Sequence, residues 1–186
     1  MNNETSIASA FPDQESMNKY KLFSTAFSYP DENFFNTFPE LKDEQVDLIQ
    51  EYDRLFRASE IWLYITEYLA KNEFQKSNYL SDIMGFYYAF GLEPDNDRAD
   101  NLTSAFEFMY YLIFKANHAR EQKRPKVNTL VCFEALKAFF GDYVYLPARK
   151  ISTAVLSQTR HRFYRMMAQE LLEFIEKEKH ILGDRN

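Results

Sequence analysis

The stretch Asp43-Glu-Gln-Val-Asp-Leu-Ile-Gln-Glu-Tyr-Asp-Arg-Leu-Phe56 places Val46, Ile49, Tyr52, Leu55 and Phe56 at three- and four-residue steps. An α-helix turns once in about 3.6 residues, so this spacing lays the apolar side chains along one face, toward a core. The same period recurs on both sides. Residues 75–90 carry Tyr79, Ile83, Phe86, Tyr87 and Phe90 on one broad face and stop at Gly91, the residue type that commonly follows a helix end. Leu102, Phe106, Met109, Tyr110 and Ile113 mark a long helix to Asn117. Phe163, Met167, Leu171, Phe174 or Ile175, and Ile181 mark a last one over 157–181. Shorter helices are expected at 19–28, after the Tyr29-Pro-Asp-Glu32 turn, where Pro30 suits a helix start, and at 59–70. With only 4 Gly and 6 Pro, the chain lacks the frequent turn residues of a many-stranded fold. The expected fold is therefore all-α, a single helical bundle domain of about eight to ten helices joined by short connections.

Residues 1–17 are polar and without apolar period, which reads as a flexible N-terminal tail before a helical domain over 18–186. The basic run from Lys115 to Lys126 reads as a solvated loop separating an N-terminal from a C-terminal group of helices. A chain of this length buries roughly 70% of its unfolded surface, enough for a self-sufficient core. Aromatic residues make up 17% of it, with 18 Phe and 13 Tyr, so either the core is built of rings or an aromatic groove is lined by them.

Cys132 has no partner for a disulfide, and the N-terminus lacks the basic start and apolar run of a secretory signal, so a cytoplasmic location is expected. The longest apolar run, Phe108 to Phe114, falls far short of the roughly 20 residues of a membrane helix. A net charge of −6 disfavours nucleic acid as a partner. Residues 1–107 hold 20 acidic against 8 basic side chains, and residues 108–186 hold 8 against 14. This asymmetry suits either a basic peptide partner or two solvated faces that attract each other within the fold.

Catalytic patterns are scarce. The glycines at 85, 91, 141 and 183 form no phosphate-binding loop, and none of His118, His161 or His180 has an acidic residue three positions before it, as a di-iron bundle requires. One cysteine and three scattered histidines do not make a zinc site. Cys132, within Leu130-Val-Cys-Phe133, reads as a buried thiol, and Glu51 with Asp53 and Glu173 with Glu176 read as solvated helix charges. No enzyme, cofactor or metal is expected.

Several segments, in order, resemble the TorD/DmsD/NarJ family of molybdoenzyme maturation chaperones, in particular its NarJ-like branch. Leu22-Phe-Ser-Thr-Ala-Phe-Ser-Tyr-Pro-Asp-Glu32 is similar to the family's "FxYPDE" opening, and Glu51-Tyr-Asp-Arg-Leu-Phe56 to its "EYxxLF" helix end. Leu63-Tyr-Ile-Thr-Glu-Tyr68 resembles "LYESxY", with Ile65 and Thr66 in the Glu and Ser places. Asp97-Arg-Ala-Asp-Asn-Leu-Thr-Ser-Ala-Phe-Glu-Phe-Met109 resembles "ExPDHLxxELEFM", with Ala99 in the Pro place and Asn101 in the His place. Phe139-Phe140, Tyr145-Leu-Pro147 and Phe163-Tyr164 resemble the C-terminal landmarks.

The resemblance implies an all-helical cytoplasmic chaperone. It would bind the N-terminal, twin-arginine-leader-like segment of the catalytic subunit of a molybdenum or tungsten oxidoreductase and assist cofactor insertion, assembly and export or membrane attachment. A monomer or weak dimer is expected. Carried over by position, the peptide-binding candidates are Tyr52, Leu55, Phe56, Tyr64, Thr66, Tyr68, Asp97, Asp100, Asn101 and Glu107. Leu55 and Phe56 also suit a core, and Asp97 and Asp100 also suit the amino end of a helix, where carboxylates meet free amides. Two other readings stay open: an accessory subunit that remains in the mature complex, and a small helical enzyme.

Overall fold

The computed structural model describes residues 14–94, 98–122 and 126–183. Helix α1 (Gln14–Ala26) leads through Tyr29 and Pro30 into α2 (Glu32–Thr37), a 3-10 turn (Pro39–Glu44) and α3 (Gln45–Phe56). An extended segment over 61–64 precedes the short α4 (Thr66–Leu69) and α5 (Glu73–Ala89). Then come α6 (Leu102–Glu121), α7 (Lys126–Phe139), a π-helical turn (Phe140–Val144), α8 (Tyr145–Gln158) and α9 (Arg162–Gly183). The chain is an all-α bundle, as its apolar period requires. No helix among the described residues is long and apolar enough to cross a membrane.

Local chemistry sets the helix ends. Asp31, Asn72 and Asn101 stand at N-caps and accept from the amides of Phe34, Gln75 and Thr103 at 3.0, 2.9 and 3.0 Å. Gly91, with φ of +73°, follows α5, where the Leu92 amide donates to Tyr87 O at 2.9 Å and the Gly91 amide to Tyr88 O at 3.0 Å. This paired closure needs a left-handed residue, which Gly adopts without a Cβ clash.

The surplus of rings is mostly core. Helices α1, α6 and α7 pack in series, and α8 pairs with α9. Tyr20 meets Phe174 with centroids 4.9 Å apart, Phe38 meets Phe163 at 5.0 Å, and Phe108 meets Phe139 at 4.8 Å, all in the edge-on geometry that aromatic quadrupoles favour.

Four expectations are corrected. On α3 the buried face is Leu48, Tyr52, Leu55 and Phe56, whereas Val46 is 66% exposed because two three-residue steps back from Tyr52 rotate it about 120° off that face. Residues 59–70 are not one helix. Ile61, Leu63 and Ile65 are buried in alternation with Trp62 and Tyr64, a two-residue period, and their backbone pairs with the segment before α6. The Ile65 amide donates to Asp100 O and the Leu102 amide to Leu63 O, both at 2.8 Å. Most of the basic loop is helix, since buried Ala116 and Ala119 carry α6 on to Glu121, with His118 and Arg120 near its negative end. Finally, α1 begins at Gln14, so residues 14–17 are helical; Met17 is buried and Ser16 Oγ donates to Glu178 Oε1 at 2.8 Å.

Candidate functional site

Helices α1 and α2 and the N-terminal half of α6 enclose an open groove of about 910 Å³. Tyr87, Phe108, Tyr110 and Tyr111 supply apolar lining, and Ser24, Thr25, Ser28, Thr103 and Ser104 add hydroxyls. Among the described residues the charged groups on it are Asp31, Glu93, Glu107 and Lys21, three acids to one base. Glu107 and Lys21 form an ion pair at 3.0 Å while remaining 57% and 54% exposed, so water screens the pair and it opens at little cost.

The amino end of α6 borders a second constellation. The Asp100 carboxylate is wholly buried and accepts from Thr66 Oγ1 at 2.5 Å and the Thr66 amide at 3.3 Å. Arg98 donates to it twice, from Nε to Oδ1 at 3.0 Å and from Nη2 to Oδ2 at 2.9 Å. The same guanidinium lies 4.1 Å from the centre of the Tyr64 ring. Asn101, paired by a backbone bridge with Tyr64, caps α6 through its side chain. The two regions touch. Thr103, on the groove, also donates through Oγ1 to Asn101, and the Tyr87 phenol donates to Ala99 O at 2.9 Å. Burial, with the Asp100 and Glu107 charges adding to it, pushes the Tyr87 phenol pKa up and keeps it a donor.

A family model described as nitrate reductase delta subunit matches residues 24–147, from within α1 to the first turn of α8. The chain belongs to that family. It is the NarJ/TorD-type chaperone family, whose members are not catalysts. No curated protein and no solved structure matches the chain. In this delta-family chaperone the matched span includes α2, α6 and the Asp100 constellation, while Phe163 and Tyr164 lie beyond it.

The expected peptide-binding residues separate into three places. Tyr64, Thr66, Asp100 and Asn101 come together before α6, and Glu107 stands on the groove. Tyr68 is half-buried nearby; its phenol donates to Trp62 O at 2.8 Å, and burial pushes its pKa up to about 12. Tyr52, Leu55 and Phe56 lie elsewhere, at the end of α3, where Leu55 is fully buried and Tyr52 and Phe56 pack ring to ring at 5.0 Å. Asp97 lies outside the described residues. Asp100 is not the α6 cap; Asn101 is.

Glu51 is also corrected, from a solvated charge to a buried anchor. It takes two bonds from Arg54 at 2.8 Å, one from Thr159 Oγ1 at 2.9 Å and one from the Arg160 amide at 2.6 Å, tying α3 to the start of α9. Cys132 is buried, which raises its thiol pKa and keeps it unreactive. Among the described residues no three His, Cys, Asp or Glu side chains gather as a metal site. Sequence reasoning passed over Arg98, Asp31 and Glu93. The one available signal for Arg98 was its place two residues from Asp100, close enough for a fork onto the carboxylate.

Proposed function

We propose that this chaperone holds an N-terminal segment of the catalytic subunit of a molybdenum or tungsten oxidoreductase in the groove between α1, α2 and α6. It would thereby retain that subunit in the cytoplasm until cofactor insertion is complete. Membership in a molybdoenzyme maturation family supports the class of client. The observation that carries the site is the groove itself, aromatic inside with an excess of carboxylates. A leader-like segment joins arginines to an apolar stretch; the rings would bury the stretch and the acids would draw in and orient the arginines. Glu107 is suited to this exchange because its present partner, Lys21, holds it only weakly in solvent.

The test is calorimetry of the whole protein with a synthetic peptide of the client's N-terminus. Micromolar or tighter binding is expected for the parent, with severalfold loss in Glu107→Lys, which reverses one charge on an exposed face and leaves the core intact. Equal binding by parent and variant would move the peptide away from this groove.

A further inference from the structure

The carboxylate of Asp100 is wholly buried, but the side chain that closes it off is not: Arg98 is 44% exposed. Its guanidinium meets the features by which proteins read arginine. Two parallel N–H donors grip one carboxylate at 3.0 and 2.9 Å, an aromatic face lies 4.1 Å away, and the Thr66 hydroxyl accepts at 3.2 Å. A second carboxylate, Glu67, stands 3.9 Å off and is shared with Lys76. A lysine can satisfy the charge here but neither the fork nor the flat stack.

The backbone that carries this cage is held without the side chain inside it. The segments bearing Tyr64, Thr66 and Asp100 are joined by the backbone bonds from Ile65 to Asp100 O and from Leu102 to Leu63 O, each at 2.8 Å, and Thr66 Oγ1 donates to the Asp100 carboxylate at 2.5 Å. Arg98 enters from a non-helical segment, outside every helix of the bundle. Its half-exposed head regains water when it leaves, and an incoming arginine replaces it bond for bond, so the buried carboxylate is never left unpaired.

We propose that Asp100, Thr66 and Tyr64 form a guanidinium-reading cage in which Arg98 is the built-in occupant, displaced by an arginine of the bound segment. The inference rests on the peptide-binding reading and adds to it a specificity device. The chain's own arginine lowers the apparent affinity for every ligand by the fraction of time it occupies the cage, and only a ligand guanidinium replaces all its bonds.

The experiment uses the full chain, its Arg98→Ala variant, and Arg98→Lys as a variant that keeps a cation on Asp100 should the alanine form fold poorly. Thermal melts are taken with methylguanidinium and with methylammonium at equal ionic strength. Calorimetry follows with a synthetic peptide carrying two arginines ahead of an apolar segment, and with its lysine counterpart. Methylguanidinium is expected to raise the melting temperature of Arg98→Ala and not of the parent, and methylammonium to do neither. Both variants are expected to bind the arginine peptide severalfold more tightly than the parent, with the preference over the lysine peptide widened. Equal binding of the arginine peptide by parent and variants would overturn the cage and leave the peptide reading intact. Rescue of Arg98→Ala by methylguanidinium, with no peptide binding by any form, would sink the peptide reading instead and leave the cage standing.

Discussion

Asp100 stands one residue before the α6 cap, and that single step changes what a substitution there does. At an N-cap, Asn replaces Asp with little loss. Here the cap is Asn101, while Asp100 is buried between Thr66 and Arg98. Removing its charge leaves the guanidinium fork facing an amide that offers one acceptor in place of two. Asp100→Asn is therefore expected to lower the free energy of unfolding by about 1.5–3 kcal/mol, the range for hydrogen bonds to charged groups. Asn101→Ala should cost about 1 kcal/mol through the lost cap. Urea denaturation of both variants checks this, and an Asp100→Asn midpoint equal to the parent's would place the carboxylate in solvent. The chain sequence exposes these two residues as neighbours in a polar turn. Which of them caps and which is buried depends on where residues 61–65 run, and a one-residue offset in that backbone pairing exchanges their roles.

At the scale of the element, Glu51 joins α3 to α9. Burial alone would raise its pKa, but the bonds from Arg54, the Arg160 amide and Thr159 outweigh that effect and lower it from 4.5 to about 2. A carboxylate depressed in the folded state stabilises fully above its unfolded pKa and progressively less as it protonates. This contribution should thus be complete above pH 4.5 and fall away toward about pH 2. The melting temperature of Glu51→Gln, followed down that interval, should be lower than the parent's at the top and converge with it at the bottom. A constant gap would assign the anchor's strength to packing instead of charge. Gly91 presents the simpler case. A Cβ there would meet no atom within 4 Å, so the cost of Gly91→Ala is conformational only, about 1 kcal/mol for holding alanine at a φ of +73°. That glycine was readable in the sequence because helix ends are local. The extended run 61–64 was not, since the two-residue alternation from Ile61 to Ile65 is short and Leu63-Tyr-Ile reads equally well as one turn of helix.

For the molecule as a whole, charge asymmetry and groove belong together. The acidic residues 1–107 meet the basic C-terminal part where Glu15 faces Lys177 at 3.8 Å, so some of the imbalance is offset within the fold. Asp31, Glu93 and Glu107 instead face the groove. Capture of an arginine-bearing segment should therefore weaken as salt rises, because exposed charges farther apart than about 8–10 Å are screened at ordinary ionic strength. Calorimetry at low and high salt measures this. Affinity that holds or improves at high salt would leave apolar burial as the only attraction. What the sequence by itself determined was the class of fold, the helical runs of α3, α5 and α6 with the stop at Gly91, and the family, because apolar period, a glycine after a helix and the "ELEFM"-like block are properties of neighbours along the chain. Tertiary structure alone decided that most of the rings form core, that Glu51 is an anchor, and that Arg98 sits on Asp100. The first two depend on which segments, tens of residues apart, share the interior; Arg98 and Asp100 are two residues apart, but the burial of that carboxylate against Thr66 is set by the same distant packing.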